Sequence, residues 1–315
     1  MLSNVLLEIL ARHTRKSAPT RKTRKLYERV HRWMMMKPGR VTPIVTAPLN
    51  DQTRLRLDLR SGTEYRAYFE GCYDDYFIRT ISSLLNADDL FVDVGANIGF
   101  YTVAIGASLK KRGGRGQVFA FEPFRNNLDR LEENIALNAL QPICLVQEFG
   151  LSDQAGTSEL TLREDFKSGA QTGNAAIPTN EVFDHGFRRI SIRLETLDGI
   201  WRQAPLHGRT IELMKMDIEG HEDFCLRGGQ DTLRACRPTV FMEVNKPYYD
   251  ARGVDIDGTF LPLMPPGYSI YKKDDGGHWR RITTFADCSW LDNVFLIPEE
   301  KLARPAYQAT FITGR

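Results

Sequence analysis

The sequence predicts an α/β protein built on an open, doubly wound, mainly parallel sheet, and three observations carry that prediction. Short apolar runs recur at 90–92, 118–121, 143–147, 211–216 and 238–244, separated by stretches with helical spacing. Strands joined through helices need crossovers, which are right-handed and place helices on both faces of a parallel sheet. Each run ends on or is soon followed by an acid, Asp93, Glu122, Asp153, Asp217 or Glu243, and ligands of such sheets bind at the carboxyl ends of the strands.

The first 50 residues stand apart. They hold eleven Lys and Arg against two acids, Glu8 and Glu28, a balance of +9 within an overall +2, so the remainder carries −7. The basic residues interleave with Leu6, Leu7, Ile9, Leu10, Leu26, Val30, Trp33 and a run of methionines at 34–36. Such an arm suits an anionic membrane face, an acidic partner protein or nucleic acid, or it is a solvated extension or an oligomerisation helix. Prolines 38, 43 and 48 read as a linker, because each interrupts helix and central strand alike. The reading divides the chain into an arm and linker (1–50), a catalytic domain (51–300) and a C-terminal tail (301–315).

Residues 53–59 alternate with period two, Ser61-Gly62 makes a turn, and 65–69 reads as the returning strand of a hairpin. Tyr73, Phe77, Ile81, Leu84 and Leu85 share a helical face ahead of the first core strand. A helix follows Asn97 and stops before Gly113-Gly114, and another spans 126–139 with Leu128, Leu131, Ile135 and Leu137 on one face. After the third strand comes an insertion: a strand at 158–162, a stretch rich in small residues from Ser168 to Thr179, and a return strand at 189–194. Residues 268–271 and 293–297 read as a closing pair.

The most informative segment is Asp93-Val-Gly-Ala-Asn-Ile-Gly99, with Glu122 lying 23 residues after Gly99. A buried strand that ends in an acid and then glycines lets bare backbone approach a ligand, and an acid after the second strand can accept bonds from both ribose hydroxyls. A pyrophosphate needs Gly-x-Gly-x-x-Gly, whereas the spacing here is Gly95-x-x-x-Gly99 with Asn97 in the middle. That pattern argues against NAD and FAD and favours a phosphate-free nucleoside with an amino-acid tail, S-adenosylmethionine.

Six motifs in order, Asp-Val-Gly-Ala-Asn-Ile-Gly (93–99), Phe-Glu-Pro (121–123), Leu-Ser-Asp (151–153), Leu-Glu-Thr-Leu-Asp (194–198), Lys-Met-Asp-Ile-Glu-Gly-His-Glu (215–222) and Asp-Asn-Val-Phe-Leu-Ile-Pro (292–298), resemble FkbM-type methyltransferases over roughly 55–298. The resemblance implies a Rossmann-like class I sheet and an S-adenosylmethionine-dependent O-methyltransferase acting on hydroxyls of a sugar, a polyketide or a similar small molecule. It implies that Asp93, Gly95 and Gly99 shape the pocket for the methionine part, with Asn97 in the same turn. Glu122 would hold the ribose, and Asp153 would face the adenine amino group.

Methyl transfer is an in-line displacement, so holding the reactants collinear in a dry cleft supplies most of the catalysis, and a base near the hydroxyl supplies the rest. Period two puts Lys215, Asp217 and, if the strand conformation persists, Glu219 on one side. Asp217 reads as the base or orienter, with Lys215 and Glu219 fixing it and His221 as an alternative base. The competing reading makes Lys215 and an acid a buried brace and Asp217 a helix cap. Glu243 and Asn245 could join Asp217 around a magnesium-like ion, but no metal is expected. The loop 168–179 reads as a lid over the acceptor or as a disordered insertion.

A non-catalytic partner protein docking through the arm is a second functional reading, disfavoured by the complete cofactor motif. A nucleic-acid methyltransferase is a third, disfavoured because Asp-Ile-Glu-Gly stands where a base-modifying enzyme would carry an Asn-Pro-Pro-Tyr-like motif. Five scattered cysteines without Cys-x-x-Cys spacing, no apolar run of membrane length and no signal-peptide pattern point to a cytoplasmic protein, with the arm able to reach the inner face of the membrane.

Overall fold

A computed structural model describes residues 2–15, 20–35, 42–49, 53–167, 169–178, 184–203, 208–274 and 276–313. Its centre is an eight-stranded sheet. Strands β3 (Leu90–Val94), β4 (Gln117–Phe121), β5 (Cys144–Gln147), β10 (Ile211–Met216) and β11 (Thr239–Asn245) run parallel. β14 (Leu291–Pro298) lies antiparallel to β11, and β12 (Tyr268–Lys273) and β13 (Trp279–Ile282) complete that edge, giving the order β13-β12-β14-β11-β10-β3-β4-β5.

The apolar runs are continuous because helices cover both faces. Phe91, Val118, Leu213, Phe241 and Phe295 pack on one side, and Val92, Val94, Phe119, Phe121, Met214 and Met216 on the other. The order of strand addition reverses at the boundary between the parallel strands β3 and β10, the switch point where a crevice opens in such sheets. Helix α4 (Asp75–Leu84) precedes β3; the helix after the first turn, α5 (Phe100–Arg112), ends at Gly113, and α6 (Arg125–Leu137) follows β4. The insertion is a small second sheet, β6 (Gly150–Leu151), β9 (Arg188–Glu195), β7 (Gly156–Leu162) and β8 (Ala175–Ala176) in that order, with its own core of Phe124, Leu160, Leu162, Ile192 and Leu194.

The N-terminal hairpin forms with a different partner from the one the alternation suggests. β2 (Thr53–Asp58) pairs antiparallel with β1 (Ile44–Leu49), upstream of it, so Pro48 sits in a strand and not in a linker. A two-stranded sheet tolerates proline because one edge needs no donor. Residues 62–70 are helix α3 (Gly62–Glu70): the Ser61 hydroxyl accepts from Glu64 N–H, a helix start written as Ser-x-x-Glu.

The basic arm is helical and docked. In α1 (Leu2–Thr14), Leu7 and Ala11 are buried, and the Thr14 hydroxyl donates to Phe69 O at 2.5 Å. In α2 (Arg21–Met35), Tyr27 stacks on Phe69 with ring centroids 5.1 Å apart and donates to Glu70 at 2.6 Å. Among the described residues no helix is long and apolar enough to cross a membrane, and Cys144, Cys225, Cys236 and Cys288 form no disulfide.

Candidate active site

A cleft of about 1080 Å³, open mouth included, lies at the carboxyl ends of β3, β4, β10 and β11. Its floor is the turn after β3. Gly95 has φ 76°, and a Cβ there would stand 2.2 Å from Asp217 O, so backbone approaches backbone as only glycine allows. Gly95 N–H and Ala96 N–H both donate to Phe121 O, at 3.1 and 2.9 Å, tying the turn to β4.

Glu122 is 5% exposed and reaches across this turn. Its Oε2 accepts from Asn97 N–H at 2.8 Å and its Oε1 from Phe124 N–H at 2.9 Å. Burial pushes its carboxyl up to about 7, opposed by those two bonds. Each oxygen retains a lone pair for a further donor. Asn97 sits at φ 51° and its side chain accepts from Ile98 N–H, an arrangement Asn tolerates better than most residues. Gly95, Asn97 and Glu122 therefore share the cleft wall.

Three expected cofactor residues are placed elsewhere. Asp93 is fully buried behind the turn, where Oδ2 accepts from the Thr102 hydroxyl at 2.6 Å and Oδ1 lies 3.4 Å from Lys215 Nζ. Gly99 faces α6, where a Cβ would meet Leu131 Cδ1 at 2.6 Å; its glycine serves packing. Asp153 follows β6 and is not among the residues lining the cleft; it accepts from the Ser152 hydroxyl at 3.2 Å. Gly150 and Leu151 line the cleft in its place.

On the opposite wall stand Asp217, Glu219, His221 and Glu243. Parallel register sets Lys215 beside Asp93, and its ammonium donates to Gly95 O at 3.0 Å while lying 3.8 Å from Asp217 Oδ2. Burial opposes the ammonium, but Asp93 and then Asp217 outweigh it and raise its pKa. Lys215 thus braces the turn from beneath and steadies Asp217, whose side chain is 32% exposed to the cleft. Glu219 does not continue the strand: its φ is 56°, and its carboxylate accepts from Asn174 Nδ2 at 2.8 Å.

Burial and the neighbouring Asp217 charge push Glu219 up to about 7 and Glu243 to about 9, so Glu243 is a protonated acid near neutrality. His221 bonds Ser152 Oγ at 3.0 Å and stacks on Phe224. Burial lowers its pKa to about 4, which makes it a poor proton acceptor. Asn245 donates to Glu243 at 3.4 Å, and among the described residues no three His, Cys, Asp or Glu side chains are grouped to hold a metal ion.

Sequence reasoning missed several lining residues. Tyr73 stacks on Phe100 at 4.1 Å, while Tyr101 packs edge-on to Tyr73 and donates to Asp74 Oδ2 at 3.0 Å. Of these, only Tyr73 figures in the sequence reading, as part of a helical face. The insertion roofs the cleft with Leu160, Asn174, Ala175, Ile177, Ile192 and Leu194. Asn174 to Ile177 belong to the stretch expected to act as a lid, whose ends Ser168 and Thr179 lie outside the described residues.

A sequence model described as the methyltransferase FkbM domain matches residues 93–288, well over half of the chain. The chain belongs to the FkbM methyltransferase family. It is an enzyme of the transferase class. It is 27% identical over 190 residues to the methyltransferase sdnD of Sordaria araneosa, covering 52% of this chain and 67% of that protein. It is 23% identical over 211 residues to the hexuronic acid methyltransferase AglP of Haloferax volcanii, covering 66% of this chain and 77% of that protein. Among solved structures, it resembles a methyltransferase FkbM from Methylobacillus flagellatus with 19% identity and a TM-score of 0.41, over 73% of this chain and 52% of that one.

Proposed function

We propose that this FkbM-family enzyme transfers the methyl group of S-adenosylmethionine to a hydroxyl of an uncharged small molecule or glycan. The observation that carries the reading is Glu122: a buried carboxylate pinned by two backbone N–H groups, with lone pairs left over, on the wall of the one-glycine-deep turn at the switch point. Two ribose hydroxyls would satisfy those lone pairs and offset the burial that raises its pKa. Gly95 and Asn97 would hold the methionine part, and Gly150, Leu151 and Phe121 the adenine. S-adenosylmethionine supplies a methyl carbon already activated by its sulfonium.

The protein's share is orientation and one proton. Asp217, held by Lys215, takes the acceptor's proton as its oxygen attacks, and protonated Glu243 donates a hydrogen bond that orients the acceptor. Tyr73, Tyr101 and the insertion exclude water, with Asn174 to Ile177 as the closing edge.

Charge narrows the acceptor. The cleft walls carry Asp217 and the partly ionised Glu122 and Glu219, whereas Lys215, the one Lys or Arg among the described lining residues, already answers Asp93. A second anion would face that field without a free cation, so a neutral polyol suits the site better than a uronate. Calorimetry with S-adenosylmethionine tests the cofactor: Glu122→Ala should weaken binding at least about tenfold, and unchanged affinity would refute the ribose assignment. Asp217→Asn should keep cofactor affinity while lowering turnover about a hundredfold or more. Turnover at the parent rate would make Asp217 structural.

A further inference from the structure

We infer that the outward faces of α1 and α2 form a docking surface for an anionic lipid membrane. The inward faces are already used: Leu7, Ala11 and Thr14 of α1 and Tyr27 of α2 are buried. They are held to α3 through Phe69 O and Glu70. Yet α1 also presents Val5, Leu6 and Ile9 outward at 57, 61 and 59% exposure. Their spacing, i, i+1 and i+4, gathers them on one face. A helix with apolar residues on two faces has a second face left to cover.

The covering partner is identified by the side chains that α2, which shares α3 with α1, exposes. On α2, Arg21, Lys22, Arg24, Lys25, Arg29 and Arg32 are all exposed, with Glu28 the one acid of the helix, and Leu26 and Trp33 stand among them at 48 and 44% exposure. Aliphatic and indole side chains beside a row of cations match a headgroup layer, where apolar groups enter the acyl boundary and ammonium and guanidinium groups meet phosphates. A second copy of this chain would bring like charges together, and a nucleic acid has no use for Val5, Leu6 and Ile9. The rest of the chain is net negative, so the attraction is confined to this face. α3, on which both helices lie, supplies Thr63 to the cleft wall and is about 14 Å long, so docking holds the cleft close to the lipid.

Co-sedimentation of the full chain with vesicles of phosphatidylcholine, with and without phosphatidylglycerol, tests this. Binding is expected only with the anionic lipid and should weaken as salt is raised. Lys22→Glu/Lys25→Glu and, separately, Ile9→Glu should each lower the bound fraction about tenfold, with circular dichroism and S-adenosylmethionine affinity unchanged because these side chains are exposed and remote from the cleft. Equal binding to neutral vesicles, or none by the parent chain, overturns the inference. So does a lipid-free dimer abolished by Ile9→Glu, or salt-sensitive binding to duplex DNA that Ile9→Glu leaves intact, since these name a second copy or a nucleic acid as the occupant.

Discussion

Replacing Glu64 with Gln should make the protein more stable at alkaline pH and leave it little changed in acid. Glu64 is 2% exposed and ties three segments together: Oε2 accepts from Asp58 N–H and Oε1 from the Thr172 hydroxyl, both at 2.5 Å. Glutamine can keep both bonds, its oxygen facing Asp58 N–H and its amide donating to the Thr172 oxygen. What it removes is a buried negative charge. Burial pushes the Glu64 carboxyl from its ordinary 4.5 up to about 8, against those two bonds. The folded protein therefore holds this proton more tightly than the unfolded chain. The group's stabilisation is complete below pH 4.5 and is lost as pH rises through about 8. Full ionisation on both sides corresponds to about 5 kcal/mol, most of it lost between about pH 5 and pH 8. Urea denaturation of both proteins at intervals across that range isolates the effect, because other raised carboxyls act equally in each. Glu64→Gln should match the parent within about 1 kcal/mol at the acid end and exceed it by about 2 to 4 kcal/mol at the alkaline end. A variant less stable throughout, with the parent's pH slope, would show that the charge is not the cost.

Two further substitutions probe the turn. Lys215→Met should destabilise by about 3 to 5 kcal/mol in urea, because Asp93 would remain fully buried without its cation, and adding Asp93→Asn should recover part of the loss; a change below about 1 kcal/mol would mean the pair is not a brace. Gly95→Ala should abolish calorimetric binding of S-adenosylmethionine, since the new Cβ meets Asp217 O at 2.2 Å and φ is 76°; parent affinity would show that the turn can move without harm.

The main sheet and the turn were legible because their signals are local. A continuous apolar run with glycines at its end can be read within ten residues, and so can the position of Glu122 after the next run. The Asp93 partnership was not, because it depends on the register of two parallel strands far apart in the chain, which places Lys215 directly beside Asp93. The same register made the turn's acid a structural anchor, although its place at a strand end resembles that of a ligand residue. The failure at 62–70 had another origin: Ser61-x-x-Glu64 is a helix start, but the alternation of Tyr65, Ala67 and Phe69 with polar neighbours imitated a strand. Asp153 falls outside the lining for a third reason, since strand β6 leaves the main sheet to pair with β9, a switch no local pattern announces.

The insertion shows most clearly why the acceptor side of the cleft was hidden. The stretch from 165 to 173 is bonded to residues more than a hundred positions earlier: Asp165 accepts from Ser61 Oγ and Gly62 N–H, Gln171 N–H donates to Asp58, and the Thr172 hydroxyl donates to Glu64. Asn127 adds a reciprocal pair with Gly173, its amide donating to Gly173 O and accepting from Gly173 N–H, both at 3.1 Å. Small, polar residues in a row suggest freedom, but here Asp165, the Gln171 backbone, Thr172 and Gly173 are tied to other elements. Immediately past these ties the character changes. Asn174 reaches Glu219, Ala175 and Ile177 face the cleft, and β8 makes only a two-residue contact with β7. Rigid support next to a lightly paired edge is the arrangement a closing segment needs, because the fixed part sets where the moving part lands. Closure would then turn about Gly173, held by Asn127 at the end of the tied stretch, whose φ of 150° leaves it the backbone freedom for that role.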